Sequence, residues 1–109
     1  MHELAITESI VAGVCERLGD QRVTRVVLEI GKLSGVVPDA VRFCFDLCAE
    51  GTTLAGAQLD IVEPSGRACC RTCGEEADVD DPLALCECGS ADLDVRGGQE
   101  LRIREVEVL

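Results

Sequence analysis

Apolar positions along the chain change period three times, and each change marks a new element. From residue 3 to 19, Leu4, Ile10, Val11, Val14, Cys15 and Leu18 recur at helical spacing, with Glu8, Ser9, Ala12 and Glu16 opposite. This predicts an amphipathic helix that stops at Gly19. In RVTRVVLEIGKL the period drops to two: Val26, Leu28 and Ile30 alternate with Val27, Glu29 and Gly31, as in a strand with one face fully buried. GVVPDAVRFCFDLCAEG returns to the helical period. Pro38 suits its first turn and Gly51 its end. Ala40, Phe43, Cys44, Leu47 and Cys48 form the predicted buried stripe of this second helix. AQLDIVEP predicts a second strand with Leu59 and Ile61 inward, closed by Pro64. QELRIREVEVL predicts a third, in which the apolar phase slips from Leu101 and Ile103 to Val106 and Val108, as a bulge near Arg104 and Glu105 would cause.

Residues 66–96 break this order. They hold five of the eight cysteines, few apolar residues and no helical period. A segment this short lies below the roughly 40 residues at which a chain folds on its own core, so it needs a staple. The expected architecture is α+β: a small three-stranded mixed sheet with two helices, formed by residues 1–65 and 97–109, with 66–96 as an inserted zinc-ribbon-like domain. The strand end near Pro64 and the stretch Arg96 to Gln99 are the expected hinges.

Composition narrows the function. The 109 residues include two Phe, no Trp and no Tyr, so the core must be aliphatic. The net charge of −11 argues against a phosphate-backbone partner, which requires Lys and Arg. The insert repeats that argument locally, with three Arg against eight Asp and Glu and no aromatic side chain, so a nucleic-acid-binding ribbon is not expected. No secretory signal is visible, and no stretch approaches the roughly 18 apolar residues of a membrane helix. A cytoplasmic protein is expected, with cysteines serving as thiols or metal ligands rather than disulfides.

Cys70, Cys73, Cys86 and Cys88 read C-x2-C-x12-C-x1-C, and each pair ends in Cys-Gly. Two thiolates on a tight turn, with a Gly that lets the backbone bend, form half of a tetrahedral zinc site. Two such turns make a closed structural site. Cys69 offers C-x3-C spacing as an alternative to Cys70, although C-x2-C-G is the better knuckle. A thioredoxin-like redox pair at Cys70 and Cys73 would require a helix start, and an acidic loop-like run follows instead. Cys15, Cys44 and Cys48 sit on apolar helical faces and are read as core.

The only histidine is His2. A terminal residue is often incidental. At position 2, however, the imidazole, its own backbone nitrogen and the Met1 amine can reach one ion. Such a donor set favours square-planar nickel(II) or copper(II) over zinc.

MHEL opening an amphipathic helix, VVLEIGKLSGVVPDAVRFCFDL, GAQLDIVEP, CRTCG and CECGSADLDVRGGQELRIREVEV resemble, in this order, the HypA/HybF family of nickel-incorporation accessory proteins in hydrogenase maturation. The resemblance covers essentially the whole chain and departs from the usual pattern at C-x-C. It implies a metallochaperone and not an enzyme, with His2 and Glu3 at the nickel site and Cys70, Cys73, Cys86 and Cys88 holding zinc. It implies the GTPase HypB and the precursor of the [NiFe]-hydrogenase large subunit as partners, with urease served in some organisms. A monomer or weak homodimer is expected. The competing reading is an adaptor whose zinc is its only metal, in which His2 does nothing.

Overall fold

A computed structural model describes residues 2–109, in the order α1 (Glu3–Leu18), β1 (Val23–Ile30), α2 (Pro38–Ala49), β2 (Gln58–Val62), β3 (Gly66–Cys70), β4 (Glu76–Val79), β5 (Leu93–Arg96) and β6 (Leu101–Val108). The chain divides into two compact units. The first comprises Met1–Leu28, Val36–Ile61 and Arg102–Leu109; the second comprises Glu29–Gly35 and Val62–Leu101. Among the described residues no helix is long and apolar enough to cross a membrane.

The first unit is the predicted α+β arrangement of two helices and a mixed sheet. Its strands lie in the order β2-β1-β6, and α1 packs on α2. β1 is central, and Val26, Leu28 and Ile30 are all but inaccessible, as their alternation predicted; Val23, on the opposite face, is inaccessible too. Val27, on the other face of the strand, is buried as well. α1 ends where Gly19 donates its N–H to the Cys15 carbonyl at 2.9 Å. α2 starts with Pro38 in its first turn.

Two expectations about the helical faces are corrected. The buried line on α2 is Val41, Phe45 and Ala49, not the stripe through Phe43 and Leu47. Ala40, Cys44 and Cys48 are half-buried, while Phe43 and Leu47 face solvent. The stripe is rotated because α2 carries apolar residues over more than half its circumference. Spacing alone permits either line, and packing in the folded unit, where α2 meets α1, selects one. On α1, Leu4 is exposed and Thr7 is fully buried. Thr7 is tolerated there because its hydroxyl donates to the Glu3 carbonyl, four residues back, at 2.7 Å.

The second unit holds a three-stranded sheet that the hydropathy pattern did not reveal, in the order β4-β3-β5. β3 pairs antiparallel with β4, Gly66 opposite Val79, and with β5, Cys70 opposite Leu93. The segment following β1 belongs to this unit. Lys32 N–H donates to the Pro64 carbonyl at 3.0 Å, Leu33 N–H to Gly98 at 2.7 Å and Gly31 N–H to Glu100 at 2.8 Å. Both stretches expected to hinge are therefore bonded to residues 31–33. A Cβ on Gly31 would lie 2.0 Å from the Gly98 oxygen, so only glycine permits that approach.

Candidate metal centre

β3 ends at Cys70, and the chain turns at once. Gly74 N–H donates to the Cys70 carbonyl at 2.8 Å with Gly74 at φ 80°. The second turn repeats the device: Gly89 N–H donates to Cys86 at 2.8 Å with Gly89 at φ 91°. Each turn needs a left-handed residue directly after its second cysteine, which accounts for the two Cys-Gly pairs. The turns are joined by a Thr72–Ser90 hydroxyl hydrogen bond of 2.8 Å and by Arg71 donating to Asp92 at 2.9 Å. No spacing signal in the sequence marked these supporting residues.

The result is a convergence of four sulfurs. Cys70, Cys73, Cys86 and Cys88 place their Sγ atoms within 4.8 Å of one another. Cys70 and Cys88 are 3.7 Å apart, and Cys73 and Cys86 3.5 Å. Tetrahedral zinc with Zn–S bonds of about 2.3 Å requires sulfurs roughly 3.8 Å apart, so the donor set fits a four-thiolate ion with little rearrangement. The shortened C-x-C pair still brings both its sulfurs into the group. Cys69 is outside the group: it alternates to the other face of β3, 3.9 Å from the Gly74 carbonyl. Cys70 is buried, Cys86 half-buried, and Cys73 and Cys88 exposed.

Electrostatics at the cluster favour a cation. The Cys73 N–H, 3.5 Å from the Cys70 sulfur, and then the Thr72 N–H favour the Cys70 thiolate against burial, holding it down at about 6. At Cys86 the Cys88 N–H also favours the thiolate, but the sulfurs of Cys73 and Cys88 together with burial push it up to about 12. One thiolate forms readily; further ones repel it at this separation. A bound dication removes that repulsion. The same closeness leaves no open ligand position for substrate, so the cluster is a structural rather than a catalytic site.

His2 immediately precedes α1 with φ 55° and ψ 25°, the one left-handed non-glycine among the described residues. Its carbonyl accepts from Ile6 N–H at 3.0 Å, but its imidazole caps nothing and is exposed. Glu3 bridges the two helix starts: its Oε2 accepts from Val37 N–H at 3.1 Å. The Met1 amine expected in a chelate with His2 lies outside the described residues. Cys15, Cys44 and Cys48, read as core, are each half-buried on the helices.

Comparison with known proteins agrees along the whole chain. Residues 1–108 match the family model described as hydrogenase/urease nickel incorporation, metallochaperone, HypA. A hydrogenase maturation factor HypA from a Nostoc species is 55% identical over 108 residues, covering 99% of this chain and 96% of that protein. Its counterpart from Geobacter metallireducens is 48% identical over 110 residues, covering 99% of each. A solution structure of the Ni metallochaperone HypA from Helicobacter pylori superposes with a TM-score of 0.65 at 25% identity, covering 100% of this chain and 98% of that one.

Proposed function

The chain belongs to the HypA family of hydrogenase and urease nickel-incorporation metallochaperones, and from that membership we propose that it carries Ni(II) on its N-terminal Met-His-Glu and delivers it to the precursor of a [NiFe]-hydrogenase large subunit. Family proteins of this kind are accessory factors for hydrogenase maturation, not enzymes. The finer reading assigns residues 1–65 and 97–109 to nickel and 66–96 to zinc. Its ligands are His2 and Glu3 for the cargo and Cys70, Cys73, Cys86 and Cys88 for the resident ion. The GTPase HypB is the proposed partner in transfer, in the cytoplasm, with the chaperone acting as a monomer or weak homodimer.

The exposed imidazole of His2, which makes no capping hydrogen bond to α1, is the observation that supports this most directly. A side chain with no part in packing or capping is available to a ligand. Imidazole and deprotonated amide nitrogens suit a square-planar ion. The Glu3 carboxylate already holds Val37 N–H, so its role is to fix the start of α1 while its backbone nitrogen joins the donor set. A site built from so few side chains can release its ion by ligand exchange. Zinc in the closed four-sulfur site supplies a neutralising charge and a cross-link, and takes no part in the transfer.

Nickel titration of zinc-loaded protein, wild type beside His2→Ala, tests the assignment by calorimetry and by the square-planar d–d band. Loss of nickel binding with zinc retained is the expected result. Equal binding in both would remove His2 from the site, and negligible binding in both would return the adaptor reading to the front. Affinity should also fall from pH 7.5 to pH 6, because the donor nitrogens bind the ion deprotonated and binding releases protons. A flat profile over that range would refute release by ligand protonation.

A further inference from the structure

The chain has two aromatic side chains, and it hides one and displays the other. Phe45 is 2% exposed and Phe43 is 74% exposed, on the same helix. Leu47, one turn after Phe43, is 58% exposed, and Leu4 on α1 is 51% exposed. Leu4 and Leu47 line a groove of about 510 Å³ between α1 and α2, whose walls also include Glu8, Val11, Cys15 and Cys48, and helical spacing sets Phe43 on the same side of α2 as Leu47, one turn before it. Burial, then Glu8 and Cys44, push the Cys48 thiol up, so the groove floor is neutral. From Leu4 to Cys15 the α1 wall runs three helical turns, about 16 Å.

We propose that the α1–α2 groove docks an amphipathic helix of a partner protein, with its apolar stripe over Leu4, Phe43 and Leu47 and with Lys and Arg on its flanks. A helix is the shape that a groove between two helices accepts, read through apolar residues at i, i+3 or i+4, and i+7. The flanking charge follows from the rim. Glu8 lines the groove; helical spacing puts Glu16 one turn beyond Ala12, and Asp46 and Glu50 three residues from Phe43 and Leu47 respectively. All four are exposed. Arg42, the basic residue on α2, is engaged with Asp39 at 2.6 Å. A second copy of this chain is a poor occupant, because a two-fold contact would set these carboxylates against their own copies in a protein already at −11.

A displayed library of 18-residue helix-biased peptides, selected on the zinc-loaded protein, tests the proposal. The expected winners carry a helical apolar period and a net positive charge. A synthesised winner should bind the Phe43→Ser/Leu47→Ser variant at least tenfold more weakly than wild type, and wild type about fivefold more weakly in 500 mM than in 50 mM salt. Both substitutions are at exposed sites, so the variant should keep the wild-type melting curve; if it does not, Asp46→Lys supplies the comparison through the salt dependence alone. No enrichment, acidic winners, winners without the period, or equal affinity for the variant would each overturn the proposal. So would a wild-type dimer in sedimentation that the variant abolishes, which would give the groove to a second copy. Nickel enters none of these readouts, so their outcome is independent of the nickel site.

Discussion

The two units are held together by different means. In the first, Val26, Leu28, Val41, Phe45 and Leu54 are at most 2% exposed, and packed hydrocarbon supplies the stability. In the second, the stretch 66–96 buries only Ala68, Cys70 and Val79 among its apolar residues, while Leu83 is 85% exposed. Ion pairs decorate its surface, Arg67 with Asp78 at 3.1 Å and Arg71 with Asp92 at 2.9 Å, and exposed pairs of this kind contribute little. What remains is the four-sulfur cluster. One chain thus uses apolar burial where it has the residues and a metal cross-link where it does not.

Removing zinc should show the largest difference between the units. Binding at four-cysteine sites is worth roughly 10–16 kcal/mol in small peptides, far more than three small buried side chains provide. Strong chelation should therefore abolish amide protection in β3–β5 while β1 stays protected, as read by hydrogen exchange. Persistence of β3–β5 protection without metal would show that the ribbon has a self-sufficient core. Phe45→Ala should act in the opposite sense, costing about 3–5 kcal/mol in the first unit by denaturant unfolding and leaving zinc stoichiometry unchanged.

Smaller effects sharpen the comparison. Asp60 on β2 is held below the usual carboxylate range by Gln58 and then by Arg25 on β1, which also pairs with Glu105 and Glu107. Because the folded-state value is depressed, its contribution is complete above the ordinary carboxylate value near 3.9 and is lost as pH falls through the lower, folded one. Asp60 and Arg25 are each about a third exposed, so Asp60→Asn should cost less than about 1 kcal/mol at pH 7. The gap to wild type should narrow below pH 4, and a gap that widened in acid would contradict the assignment. Phe43→Ser should be the smallest, within about 0.5 kcal/mol of wild type. The two phenylalanines, two residues apart, would then differ severalfold in their effect on folding.

That pair also marks the limit of what hydropathy could reveal. The extent of α2, from Pro38 to Ala49 with the left-handed Gly51 just beyond it, was legible because helix ends are local chemistry. Which side of α2 faces inward was not, since Phe43 and Phe45 satisfy the helical period equally well and only the packing of the folded unit, α1 included, discriminates. Thr7 was hidden for a related reason: a hydroxyl bonded back to its own helix is no longer polar toward the core, and nothing in its neighbours announces that bond. The sulfur cluster was the most legible site, because the knuckle spacing and the glycine requirement are both local. Its supports were silent. Thr72 meets Ser90, and Arg71 meets Asp92, only after two turns far apart in the chain have come together.

By itself the sequence determined the period of each main element in the first unit, the four cysteines with their obligatory glycines, and the solitary histidine. These follow from bond geometry and donor chemistry within a few residues. The tertiary structure alone decided which helical face is core and which is displayed, how residues 31–33 bond to Pro64, Gly98 and Glu100 within the second unit, and how a segment with almost no apolar content forms three paired strands. Those outcomes depend on packing and hydrogen bonding between residues tens of positions apart, where many local solutions are acceptable and only one satisfies all its neighbours together.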